Sequence, residues 1–219
     1  MPPDLIIFDC DGVLIDSEMV ASRVVAAEMT SLGWEMTPED SMRQFLGMNL
    51  SDMVPMIEAR LGILLPDGWR RDMADKLIDA LSEEAVPIPG ADEMLKRVTA
   101  MGFDWRVASN SSDEEMAVKF ARTGLTELTA GRCVSAASVI AKGGKAKPAP
   151  DVFLAAAEDA KIRPERCIVL EDSRLGMRGA VAAGMICYGF DPHGDGAALR
   201  AEGAAAVFSR LDEIFGVLA

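Results

Sequence analysis

Asp9 and Asp11, in the run Asp9-Cys10-Asp11-Gly12-Val13, are the first side chains in this sequence that could carry out chemistry together. A carboxylate can attack phosphorus in line and hold the phosphoryl group as an acyl phosphate, which splits one difficult displacement into two easier ones. A second carboxyl group beside it can give a proton to the leaving oxygen and later take one from the attacking water. Asp9 suits the first role and Asp11 the second. Alone, the pair reads as a turn, because Asp is common in turns and Asp-Gly is a turn dipeptide.

Three further clusters change that reading: Ser109-Asn110-Ser111, Lys147-Pro148-Ala149-Pro150-Asp151 and Glu171-Asp172-Ser173. Ser109 offers a short hydroxyl to a phosphoryl oxygen. Among Lys142, Lys145 and Lys147, the last is singled out because the proline after it keeps its backbone extended at a helix start, so its ammonium can be aimed. Asp9, Glu171 and Asp172 packed around one point would repel each other without a cation. Their all-oxygen donor set suits a hard ion such as magnesium, which would also shield the nucleophile from the phosphate charge.

These groups need strand ends to converge. Apolar runs at Leu5–Phe8 and at 105–108, 132–134, 167–170, 185–188 and 206–208 each end in or beside a polar residue. Runs without polar alternation predict strands of a parallel sheet buried on both faces, with helices between them. In such a sheet ligands bind outside the carboxyl ends of the strands, where Asp9, Ser109 and Glu171 fall. Ser112 with Glu115 forms a capping box for a helix to about residue 122, Pro150-Asp151 opens one to about 160, and Ser173 caps one ending near Gly184.

Residues 17–85 break the rhythm and read as several helices, with Thr37-Pro38-Glu39-Asp40 a strong start. The stiff segment Val86-Pro87-Ile88-Pro89-Gly90 leads back. The expected fold class is therefore α/β: a doubly wound, Rossmann-like parallel sheet core (1–16 and 86–219) with an inserted α-helical domain (17–85). Asp16 and Ser17 read as a hinge outside the catalytic set, and Gly176 and Gly179 as close helix packing. His193 reads as a loop residue, and Cys10, Cys133, Cys167 and Cys187, without CxxC spacing, as small core residues.

Taken in order, Asp9-x-Asp11-Gly-Val, Ser109-Asn110, Lys147-Pro-x-Pro-Asp and Glu171-Asp172-Ser173 resemble the four motifs of the haloacid dehalogenase superfamily, and they span the core. The resemblance implies that Asp9 is the nucleophile and Asp11 the acid/base, and that Ser109, Asn110 and Lys147 bind phosphate. It also implies magnesium on Asp9, Glu171, Asp172 and the Asp11 carbonyl, and makes the helical insert a cap domain. Asp11 argues against dehalogenation, which needs no leaving-group acid. Relatives of the beta-phosphoglucomutase type typically carry a histidine in the first cap helix and a Lys-Gly-x-Ser-Arg loop. Here those places read Ala21 and Leu46-Gly47-Met48-Asn49-Leu50, which favours hydrolysis over sugar phosphomutase chemistry. Asp-Cys-Asp-Gly, Ser22-Arg23, Val107-Ala108-Ser109-Asn110 and Asp191-Pro192-His193 further resemble bacterial sugar-phosphate phosphatases, a group that includes 6-phosphogluconate phosphatase.

The expected activity is magnesium-dependent hydrolysis of a small phosphorylated metabolite, a sugar phosphate or sugar-acid phosphate. A phosphoacceptor signalling module is the rival of another class, but it is smaller, orders its acidic residues differently and has no helical insert. An inactive binding module is disfavoured by the intact motif set. The net charge of −13 argues against nucleic acid and anionic membrane as partners. No apolar stretch approaches the roughly 20 residues of a membrane span, and Met1-Pro2-Pro3-Asp4 lacks the basic start of a signal peptide, so a cytoplasmic monomer is expected. Residues 17–85 hold 6 Lys/Arg against 13 Asp/Glu. That scarcity of positive charge makes Arg23 and Arg43 the candidates for contacting a substrate carboxylate or hydroxyl.

Overall fold

In the computed structural model, which describes residues 2–218, every run expected as a strand is one. In chain order the strands are β1 (Leu5–Phe8), β2 (Ile15–Asp16), β3 (Val86–Pro87), β4 (Asp104–Ser109), β5 (Cys133–Ser135), β6 (Cys167–Glu171), β7 (Ile186–Phe190) and β8 (Val207–Phe208). Six of them form one parallel sheet in the order β5-β4-β1-β6-β7-β8. Strand β1 lies between β4 and β6, with Phe8 opposite both Val107 and Leu170, so Asp9, Ser109 and Glu171 all fall just beyond the last residue of β1. Its four side chains are buried, as expected of a run sandwiched on both faces.

The α-helices among the described residues are α1 (Glu18–Ser31), α2 (Pro38–Phe45), α3 (Leu50–Leu61), α4 (Trp69–Glu84), α5 (Ala91–Ala100), α6 (Asp113–Thr123), α7 (Thr126–Thr129), α8 (Ala136–Ala141), α9 (Asp151–Asp159), α10 (Arg174–Ala182), α11 (Ala197–Ala201) and α12 (Phe215–Leu218). Helix α6 starts on the Ser112–Glu115 capping box and ends at Gly124. Helix α2 has the same device at Thr37 and Asp40 with Pro38 inside its first turn. Helices α1 to α4 make up the chain between β2 and β3. Those two short strands pair antiparallel, Ile15 with Pro87 and Asp16 with Val86, so the chain leaves and returns as one two-stranded ribbon. The sequence announces neither, because Val86-Pro87 reads as part of a stiff connection and Asp16 as a hinge.

The core continues from the sheet into the helical insert. One cluster of buried side chains runs from Phe8, Trp105 and Val107 through Val13 and Leu14 to Met29, Met53, Ile57 and Leu77. The other face of the sheet packs Ile7, Ala108 and Val169 against Phe153, Ala156 and Met177. Gly179 lets α10 lie against α9: a Cβ there would stand 3.0 Å from the Phe153 ring and 3.1 Å from the Ala149 carbonyl. No helix among the described residues is long and apolar enough to cross a membrane.

Candidate active site

Directly after β1 the chain makes a tight turn in which Leu14 and Ile15 N–H donate to the Cys10 carbonyl, both at 2.9 Å, and Gly12 N–H donates to Ile15 at 2.8 Å. The turn presents Asp9 and Asp11 to a cavity of about 490 Å³ beneath the helical insert. Gly12 is required twice over. Its φ is +75°, and a Cβ would lie 1.9 Å from Asp172 Oδ2. At Gly176 a Cβ would lie 2.0 Å from the Glu171 carboxyl carbon, so this glycine lets α10 lie close against the end of β6 and leaves room for the acid.

The sequence-predicted residues converge at the ends of β1, β4 and β6. Lys147 Nζ donates to Asp9 Oδ1 at 2.6 Å and to Glu171 Oε2 at 2.7 Å, and it also stands 4.8 Å from the Phe153 ring centroid. Glu171 is fully buried, and its other oxygen accepts from Ser173 Oγ at 2.8 Å. Asp9, Glu171 and Asp172 each bring an oxygen within 4.8 Å of the others. Glu18, at the first position of α1, faces Asp172 carboxyl to carboxyl.

Electrostatics expose a deficit of positive charge. Burial first and then the Glu171 charge push Asp9 up to about 7, against the pull of Lys147. Burial, then the charges of Glu18 and Glu171, hold Asp172 well above the carboxylate range. Among the described residues, Asp9, Asp11, Glu18, Glu171 and Asp172 meet two ammonium groups, Lys119 and Lys147. An oxygen-only cluster with unbalanced negative charge fits a hard divalent cation bound by Asp9, Glu171 and Asp172.

Asp11 sits in a different environment. Lys119 Nζ donates to both of its oxygens, at 2.6 and 2.8 Å, Ser111 Oγ donates at 2.7 Å, and Ser17 Oγ donates as well. Burial acts to raise Asp11, but Lys119 and these hydroxyls outweigh it and hold the acid below its ordinary value. Lys119 is only 1 % exposed, and its charge survives burial because Asp11 stands against it. Sequence reasoning missed Lys119. The available signal was its place in the apolar register of α6, beside buried Met116 and Phe120. Ser17, read as a hinge, also belongs here, as does Glu18.

Asn110, Arg23 and Arg43 are engaged differently from the other expected site residues. The Asn110 side chain is occupied by main chain: Nδ2 donates to Lys147 and Gly47 carbonyls at 3.2 and 2.7 Å, and Oδ1 accepts from Lys147 N–H at 2.9 Å. It holds the Lys147 main chain and ties Gly47 of the insert to the sheet end. Arg23 and Arg43 do not line the cavity. Arg23 is paired with Glu84 and Arg43 with Asp40, both on exposed surface where charge is readily solvated. Ser109, by contrast, is at the cavity and 1 % exposed; its hydroxyl oxygen accepts from Ser111 N–H at 3.0 Å, and its proton makes only a long contact to Asp11 at 3.4 Å.

Fold and site together define an α/β enzyme of the doubly wound type, with an acidic centre at the carboxyl ends of the strands and a helical insert above it. The chain belongs to the haloacid dehalogenase-like hydrolases, whose family model matches residues 3–184. It is similar to 6-phosphogluconate phosphatase of Escherichia coli K12, 27% identical over 197 residues that cover 87% of this chain and 84% of that protein. Hexitol phosphatase B of the same organism is 31% identical over 183 residues, covering 82% and 79%. Among solved structures, a haloacid dehalogenase-like protein from Agrobacterium tumefaciens superposes with a TM-score of 0.79 at 33% identity, covering 98% of this chain and 97% of that one.

Proposed function

We propose that this phosphoric monoester hydrolase releases phosphate from a small sugar-type phosphate through an aspartyl-phosphate intermediate on Asp9. The observation that carries the reading is the convergence of Asp9, Asp11, Ser109, Lys147, Glu171 and Asp172 on one cavity or its immediate wall. The similarity to phosphatases of phosphorylated sugars and polyols supports it. Residues 17–85 act as a cap that closes the site from water.

In the first step an Asp9 oxygen attacks phosphorus in line, the ester P–O bond breaks, and Asp11 gives its proton to the departing alkoxide oxygen. A phosphate dianion beside Asp11 raises its proton affinity, which counters the pull of Lys119. In the second step water attacks phosphorus, Asp11 takes the water proton, and the P–O bond to Asp9 breaks, releasing inorganic phosphate and restoring the carboxylate. Ser109 Oγ and Lys147 Nζ hold the non-bridging oxygens, Lys147 being kept in place by Glu171 and by the Asn110 clamp on its backbone. Magnesium would be held by Asp9, Glu171, Asp172 and the Asp11 main-chain carbonyl, and it supplies charge neutralisation between nucleophile and phosphate.

The test is phosphate release from a panel of sugar phosphates, polyol phosphates and phosphoglycolate, with and without magnesium, for the wild type and Asp9→Asn. Magnesium-dependent release lost in the variant is expected. Equal release by Asp9→Asn would overturn the nucleophile assignment, and isomerisation of glucose 1-phosphate in the presence of its bisphosphate, without phosphate release, would replace hydrolysis by mutase chemistry.

A further inference from the structure

The cavity is chemically two-ended. At the sheet end lie the acids, Ser109 and the two lysines, each of which is paired with carboxylates. The rest of the wall comes from the insert, which contributes Val25, Phe45, Leu46, Met48, Leu50 and Met53. The polar groups interleaved with them are uncharged: Ser22, Ser41, Asn49 and Ser51. Helix α8 adds Ala137 and Ile140 from the core side.

None of the insert's cations, Arg23, Arg43, Arg60, Arg70, Arg71 and Lys76, is among the lining residues. Arg23, Arg43 and Lys76 are paired with Glu84, Asp40 and Glu28, and Arg60 lies over the Trp34 ring at 5.6 Å. Arg70 approaches most closely in the bonding pattern, donating to the Ser51 hydroxyl at 3.0 Å from outside the lining set. A phosphoester bound with phosphorus near Asp9 would therefore extend its alcohol portion over apolar carbon, hydroxyls and one amide. A second anionic group there would lose water without gaining a cation, and Glu115 in the same lining would repel it.

We infer that the enzyme selects monophosphates of uncharged, hydroxylated carbon skeletons and rejects phosphoesters that carry a second anionic group at the alcohol end. The inference rests on the phosphatase reading above and narrows it, choosing sugar or polyol phosphates over sugar-acid phosphates and bisphosphates. The hydroxyl and amide groups of the insert would meet substrate hydroxyls, while the apolar wall covers its C–H face.

Glucitol 6-phosphate and 6-phosphogluconate form a matched pair, because a CH2OH in one is a carboxylate in the other. Phosphate release from both, and from p-nitrophenyl phosphate, is measured at fixed ionic strength with magnesium. A kcat/KM at least about 100-fold higher for glucitol 6-phosphate is expected, since a partly dehydrated, unpaired carboxylate readily costs two decades of affinity. Equal values, or a preference for phosphogluconate, would overturn the selectivity while leaving hydrolysis standing. Failure to cleave any of the three would overturn the phosphatase reading and this inference with it. Met48→Lys, which puts a cation into the insert wall, should narrow the ratio about tenfold or more by raising phosphogluconate turnover; an unchanged ratio counts against the inference. Arg70→Ala should leave the ratio unchanged, and a selective loss of phosphogluconate turnover in it would show that Arg70 supplies the missing cation.

Discussion

Replacing Lys119 by methionine isolates the charge that holds Asp11, because methionine keeps most of the lysine stem and leaves little cavity. The lysine is 1 % exposed and makes contacts of 2.6 and 2.8 Å to the two oxygens of Asp11, whose side chain is 29% exposed. Removing one partner of a fully buried ion pair costs about 3–5 kcal/mol. Asp11 can partly rehydrate and keeps Ser111 and Ser17, so the loss should fall at about 2–3 kcal/mol. At roughly 2–4 °C per kcal/mol for a chain of this size, Tm drops by about 5–10 °C. The double variant Lys119→Met/Asp11→Asn removes both charges and should recover part of the loss, with a coupling of about 1–3 kcal/mol in a double-mutant cycle. An Asp11 carboxyl released from its anchor also swings out of line, and kcat should fall about 100-fold. Urea unfolding of the four proteins and steady-state phosphate release are the assays. If Lys119→Met stays within about 0.5 kcal/mol of wild type, couples to nothing and keeps its kcat, Lys119 is a packing residue and the assignment is wrong.

Asn110→Ala releases the Lys147 main chain and the tie to Gly47, so it should raise KM for phosphoesters several-fold and cost about 1–2 kcal/mol of stability; unchanged values for both would make the clamp incidental. Magnesium at about 100 times its Kd should stabilise the wild type by about 2.7 kcal/mol in thermal unfolding, and Asp172→Asn should abolish most of that shift. A shift unaffected by Asp172→Asn would place the ion elsewhere. On the surface, Arg178 and Arg174 pull Glu202 from 4.5 down to about 2, so its contribution to stability is present above 4.5 and is lost as pH falls towards 2. An NMR titration should find the Glu202 carboxylate still charged at pH 3.5, and a midpoint near its ordinary value would contradict these pairings.

Much of this arrangement was legible in the sequence, for identifiable reasons. Strands β1 and β6 are unalternating apolar runs, and β4 is apolar but for Asp104 and Arg106; they stop at Asp9, Ser109-Asn110 and Glu171-Asp172, so the level at which chemistry collects could be read from where hydrophobicity ends. The Ser112–Glu115 and Thr37–Asp40 boxes marked α6 and α2 because capping is local in sequence. What escaped was non-local. Lys119 lies two turns into α6, and its meaning depends on Asp11, which is 108 residues away. Ser17 looked like a hinge until the turn after Asp9 folded it back onto Asp11. The β2–β3 ribbon joins residues far apart in the chain through strands too short to show a period. Arg23 drew attention as a rare cation in an acidic insert, yet its partner Glu84 is 61 residues on. The Arg43–Asp40 pair, three apart on one helix, was readable and pointed to a surface role.

The central claim is that Asp9 carries the phosphoryl group. Enzyme mixed with magnesium and a saturating phosphoester, quenched in acid within one turnover and digested, should yield a phosphorylated peptide spanning Leu5–Phe8 and Asp9, with fragment ions that place the group on Asp9. Asp9→Asn treated in the same way should yield none and release no phosphate. Phosphoryl found on another residue, or steady phosphate release from Asp9→Asn, would contradict the account.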